Sequence, residues 1–405
     1  MFSFTILPSG TGPRLGRLIV GKGHVLETPA FIAPSSRGVV PHLSHDTLKN
    51  HTQIKGVYTA LEDCEFAFFP HIVSLGNLTR AYAVVEKPPG KVPIYTTAAT
   101  LREFISLPTS QFSVIAPRRA PPIVAPASNT DDSISILTSV GYRFLTWQDY
   151  TDALRKLKPD IAISMPDLPH QKPGKNRAPK MAARTELWLR ELLDWNKEWA
   201  KEPGENISVK GGGRTPIFAP LLPLELEEQR LYIEFMEERK EEIAGLAVYD
   251  YTQILQHGNP EGLLDTINDL PRYSLDVPLT PLKILDQIEA GIDLFNLNLV
   301  TEATDAGIAL DFYFPAVDIG LQRPAQGDKK ELGTDMWSKD YAADLRALSY
   351  GLGGGEIGDQ GRQCECYACK RHHRAYVQHL LMAKEMAAWV LLQMFVLSPS
   401  FPGAQ

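Results

Sequence analysis

Cysteine is scarce in this chain, with four residues in 405, and three of the four sit within six positions of one another. So few thiols cannot build a disulfide framework, which points to a reducing compartment. Long apolar runs are missing too. The longest, around "AAWVLLQMFVL" (387–397), falls short of the roughly 20 residues that a helical membrane span needs. The start, "MFSFTILPSGTGPRLGRLIVGKG", has no charged head, apolar centre and small-residue cleavage site, and is not an Arg/Ser-rich amphipathic leader, so a cytosolic protein is expected. Neither Gly-rich stretch, "KEPGENISVKGGGRTP" (201–216) or "GLGGGEIGDQGRQ" (351–363), has a phosphate-loop spacing, which removes nucleotide binding of that kind. A basic excess is absent as well. The formal net charge is −7, which argues against strong nucleic-acid binding by the chain alone, because phosphate neutralisation supplies most non-specific affinity.

What is present is a globular composition, 44% hydrophobic and 22% charged, long enough for one large domain and an appendage. Strand-like runs occur at 56–61, 112–117, 121–127, 160–165, 216–222, 243–249, 272–277, 292–300 and 308–314. They are apolar throughout rather than alternating, as parallel strands buried on both faces are. Between them lie helical patterns, "DDSISILTSVG", "WQDYTDALRKL", "AARTELWLRELLDWNKEWAKE", "LELEEQRLYIEFMEERKEE", "NPEGLLDTIND" and "TPLKILDQIEAG". The number of strand–helix units predicts an α/β protein, a (β/α)8 TIM barrel over 1–350; the cysteine cluster marks 351–405 as a C-terminal zinc-binding subdomain and helix. Trp188 and Trp195, seven apart on one helix face, are expected in the core. Basic loops survive locally. Lys172, Lys175, Arg177, Lys180 and Arg184 in one, and Lys370, Arg371 and Arg374 in another, are either solvated faces or RNA contacts.

The cysteines form C-x-C-x-x-C at Cys364, Cys366 and Cys369. Three thiolates at this spacing can converge on one tetrahedral Zn2+ at about 2.3 Å. The segment that carries them, "CECYACKRHHRAYVQHLLMAKEM", resembles the zinc segment of the queuine tRNA-ribosyltransferases, also called tRNA-guanine transglycosylases. "TPAFIAPSSRGVV", "KPDIAISMPD", "RTELWL" and "PRYSLDVPLTPLKILDQIEAGIDLFN" are similar to further family stretches in the same order. The resemblance implies a (β/α)8 barrel with a zinc subdomain that exchanges guanine for a deazaguanine base at the tRNA wobble position.

Against that pattern the departures are chemical. Exchange needs a carboxylate that attacks the ribose and holds a covalent intermediate. The family's nucleophile position, the second aspartate of D-x-F-D-C, is Asn296 here. Two family arginines become Glu302 and Asp305, a Gly-Gly beside the base becomes Tyr249 and Asp250, and a D-S-G-G-F-Q segment is absent. The family histidine that completes the zinc site falls at Phe395, leaving His372, His373 or His379 as substitutes. These losses imply a non-catalytic, accessory member that pairs as a heterodimer with a catalytic queuine tRNA-ribosyltransferase subunit. It would meet tRNA through that complex, in the cytoplasm, with peripheral association at the mitochondrial outer membrane allowed by the resemblance. The competing expectation is an active glycosyl-transfer enzyme using a displaced carboxylate, Asp293 or Asp167.

Overall fold

A computed structural model of the chain describes residues 2–8, 13–21, 23–63, 100–123, 128–138, 141–169, 173–202, 212–256, 267–310, 342–344, 366–372 and 374–396. Two compact units emerge. One comprises Met1–Val39, Lys55–Val277 and Leu285–Asn296, and the other Val40–Ile54, Pro278–Ile284 and Leu297–Gln405.

The first unit opens with an antiparallel sheet of β1 (Ser3–Leu7), β2 (Leu15–Val20) and β3 (His24–Thr28). The chain then enters a closed barrel of eight parallel strands. In chain order these are β4 (Ala30–Pro34), β5 (Gly56–Ala60), β6 (Phe112–Ala116), β9 (Ile161–Ile163), β10 (Ile217–Leu221), β11 (Gly245–Val248), β12 (Arg272–Ser274) and β13 (Leu294–Asn296). The ring closes where β13 pairs with β4, Phe295 opposite Phe31 and Asn296 opposite Ile32. Every residue of β5, β6 and β10 is buried, which is why these strands read as unbroken apolar runs. The expected α/β barrel is therefore the observed architecture.

Several elements differ from expectation. The helical reading of "DDSISILTSVG" fails, because β7 (Ser133–Thr138) and β8 (Gly141–Thr146) form an antiparallel hairpin between β6 and β9. Alternating Ser and Ile has a period of two, which suits a pleated ribbon. The run 292–300 stops as a strand at Asn296 and continues as the helix Asn298–Ala306. In 308–314, Ile308–Leu310 is a strand, β14, but it pairs with β15 (Ala342–Asp344) in the second unit and is no part of the barrel. Within 121–127, residues 121–123 form no strand, and 124–127 lie outside the described residues. The barrel position is taken by β4, hidden in the sequence between Pro29 and Pro34. Most of "NPEGLLDTIND" also lies outside the described residues.

Helices flank the strands as the periodicity required. Trp147–Leu157 begins with a reciprocal cap, Thr146 and Asp149 each bonding the other's backbone N–H. The long helix Ala178–Lys201 buries Met181, Thr185, Trp188, Leu189, Leu192, Asn196 and Trp199, one apolar stripe at three- and four-residue spacing. Trp188 is fully enclosed and its indole N–H donates to the Asp131 carbonyl at 2.8 Å. Trp195 sits at the margin instead, its ring 4.9 Å from that of Trp199 and under the Arg155 guanidinium.

In the second unit, helices Asn298–Ala306, Tyr367–Arg371, Arg374–Met382 and Met386–Val396 bury Val300, Ala303, Ala368, Val377, Leu381, Leu391, Leu392 and Met394. Gln393 donates to the Thr301 hydroxyl at 3.3 Å. Among the described residues no helix is long and apolar enough to cross a membrane.

Candidate functional site at the barrel mouth

Parallel strands leave all their carboxyl ends on one face of a barrel, and loops from that face supply its chemistry. Asn296 is the last residue of β13 and is completely buried. Its Oδ1 accepts a 2.6 Å hydrogen bond from the Tyr273 hydroxyl, and its Nδ2 has no partner among the described residues. Tyr273, from β12, packs edge-to-face on Tyr58 of β5 at 6.1 Å. The Tyr58 hydroxyl donates to the Arg118 carbonyl at 2.5 Å. Burial pushes the pKa of both phenols well up, so both remain neutral donors.

Two residues beyond the ends of β5 and β6 stand Glu62 and Arg118, both essentially without solvent. Glu62 accepts the Arg119 backbone N–H through one oxygen, and its Oε2 is unpaired among the described residues. Arg118 donates to Asn129 Oδ1 at a long 3.3 Å, and its Nε is likewise unpaired. Burial raises the Glu62 pKa and lowers that of Arg118, the cost of removing each charge from water. Sequence reading missed this pair. Its only trace is a charge directly behind an apolar strand, in "YTALED" and "VIAPRRAP".

Asp167 lies beyond β9 at this end, but both of its oxygens are engaged, by Asn129 Nδ2 at 2.7 Å and Arg184 Nη1 at 3.3 Å. Asp293 stands at the opposite, amino end of β13. Three residues at about 3.3 Å rise put it roughly 10 Å from Asn296. There it holds the Arg14 guanidinium at 3.2 Å and accepts the Arg272 backbone N–H at 2.8 Å. Burial outweighs these contacts and pushes its pKa up to about 6. A displaced nucleophile at Asp293 is thereby corrected to a structural carboxyl under the barrel.

Tyr249 follows β11 directly and is buried, its hydroxyl unpaired among the described residues. Asp250 caps the helix Thr252–Gln256, accepting from the Thr252 backbone at 2.9 Å and hydroxyl at 2.6 Å. In the second unit, Asp305 bonds His42 Nε2 at 2.6 Å, and burial raises the pKa of Glu302.

Of the metal candidates, Cys364 and His373 lie outside the described residues. Cys366 is buried, and Cys369 falls in the helix Tyr367–Arg371. A set of thiolate donors is the kind that structural Zn2+ sites use. His372 is half-buried, its ring stacked on Tyr376 at 5.4 Å and 5.9 Å from Tyr367, whereas His379 is exposed. Phe395 lies in the helix Met386–Val396. The described residues alone contain no trio of His, Cys, Asp or Glu gathered for a metal.

Residues 9–395 match the family model described as queuine tRNA-ribosyltransferase. A Schizosaccharomyces pombe protein named queuine tRNA-ribosyltransferase accessory subunit 2 is 34% identical, over 96% of this chain and 75% of its own. Proteins of the same name from Xenopus laevis and Homo sapiens are 26% and 25% identical, covering 91% and 95% of this chain and 85% and 89% of theirs.

Proposed function

The chain belongs to the queuine tRNA-ribosyltransferase family, and from that premise we propose that it is the non-catalytic accessory subunit of a complex that exchanges guanine for queuine in tRNA. One observation carries the reading. At the strand end where attack on the ribose calls for a carboxylate, Asn296 offers a neutral amide tied to Tyr273. Among the described residues the mouth supplies no substitute, since Asp167 is held by Asn129 and Arg184 and Glu62 is buried beside Arg118 with a raised pKa.

The partner is a catalytic homologue bearing aspartate where this chain has Asn296, and the two form a heterodimer. tRNA is met through that complex, because a chain of net charge −7 lacks the cationic field for strong binding alone. The place of action is the cytoplasm, and the family resemblance allows peripheral association with the mitochondrial outer membrane. Affinity purification of the tagged chain from native extract, read by mass spectrometry, should recover such a homologue in near-equal amount. Recovery of the chain without any family member would count against the pairing.

Zn2+ belongs to this reading as a structural ion held by Cys364, Cys366 and Cys369, with His372, His373 or His379 the substitute for the missing histidine. Bound there it would tie the helix Tyr367–Arg371 to the segment before it, and it takes no part in chemistry. The purified chain should carry about one zinc, lost in Cys366→Ser. Metal-free protein from zinc-replete cells would remove the ion from the account.

A further inference from the structure

Four strand ends send polar groups into the barrel mouth: Glu62 beyond β5, Arg118 beyond β6, Tyr249 beyond β11 and Asn296 ending β13. All four are buried, and each carries an atom with no hydrogen-bond partner among the described residues: Glu62 Oε2, Arg118 Nε, the Tyr249 hydroxyl and Asn296 Nδ2. Such a lining ordinarily serves a ligand, since buried polar groups are otherwise paired. Tyr249 packs in one apolar cluster with Tyr58, Tyr273, Leu222, Leu224 and Leu275. It lies close enough to Tyr58, Tyr150, Tyr232, Tyr273, Glu62 and Arg118 for each pair to interact electrostatically.

We propose that Tyr249 is a built-in stopper, its phenol ring filling the barrel mouth in place of a ligand and keeping planar, base-sized molecules away from the polar lining. The ring does this by volume, and its idle hydroxyl adds little. The inference stands apart from the accessory reading, since a stoppered barrel and a partnered one are separate properties and each has its own assay.

The test compares the full-length chain with Tyr249→Gly in thermal unfolding, with phenol and guanine as probes. Neither probe should shift the melting temperature of the unaltered chain. Tyr249→Gly should melt several degrees lower and recover in part as phenol fills the void, as ligands that enter only the folded state do. Tyr249→Phe keeps the ring, and should melt close to the unaltered chain and stay closed to both probes. Stabilisation of the unaltered chain by guanine to the same extent as the glycine variant would overturn the proposal, and so would a glycine variant that ignores phenol. Should that variant not fold, ligand-detected NMR of the unaltered chain with guanine decides alone: saturation transfer overturns the stopper and its absence supports it.

Discussion

Arg14→Ala is expected to destabilise the first unit by about 3–5 kcal/mol, the range for removing one member of a buried ion pair. The loss has three parts. Asp293, with no solvent exposure, loses the cation 3.2 Å away. The carbonyls of Asn268 and Leu270 lose donors at 2.6 and 2.8 Å. The Phe4 ring loses the guanidinium above it. Arg17→Ala is the control, since its pair with Glu27 is half exposed on both sides and is worth under about 1 kcal/mol.

The pH dependence follows from the same carboxyl. Its folded pKa of about 6 lies above the ordinary value near 3.9, so folding takes up a proton between the two. Asp293 therefore favours the folded state fully below about pH 4, and that contribution is lost as pH rises through 6, by roughly 3 kcal/mol in all. In Arg14→Ala the coulombic support for the charged form is gone, so the variant should be hurt more at pH 8 than at pH 5. Urea denaturation at the two values measures this, and an equal loss at both would refute the ion-pair explanation.

Asn296→Asp restores the chemical group that the family uses, yet it should yield no exchange. The new carboxylate would sit fully buried with one donor, the Tyr273 hydroxyl, and Tyr249 would still fill the mouth. Catalysis depends on several groups held together, so one returned member recovers little. Stability should fall by on the order of 3 kcal/mol at pH 8, the cost of an uncompensated buried charge. The sign is again that of a raised carboxyl pKa, so the loss should shrink as the pH is lowered and the group protonates. Measurable guanine exchange by this variant alone would mean that the mouth is otherwise competent.

Much of this was legible in the sequence, for reasons that differ by element. Strands β5, β6, β10 and β11 announce themselves because both faces are buried, and every position must then be apolar. Strand β4 does not, since Pro29 precedes it and Pro34 ends it, and its five residues are defined by pairing with β13 on one side and β5 on the other. The hairpin β7–β8 is hidden in "DDSISILTSVG", where the Ser/Ile alternation of a strand lies inside a segment between two longer apolar runs, the place a barrel helix would take. At the site, Asn296 was visible as a substitution in a motif and Asp293 as a carboxylate near it, while Glu62 and Arg118 were not, because a charge in a sequence carries no sign of its depth. Only the fold brings Glu62 and Arg118 within reach of Tyr249, and places Asp293 under the barrel rather than in its mouth.

The central claim is that this chain serves catalysis without performing it. Its most direct test is guanine exchange into a wobble-guanine tRNA by the purified chain, by the catalytic homologue from the same cell, and by the two titrated together. The account predicts no exchange and no denaturation-resistant tRNA adduct with the chain alone, and activity in the mixture that rises and levels off at a fixed ratio of the two proteins. Turnover or a stoichiometric adduct with the chain alone would contradict it.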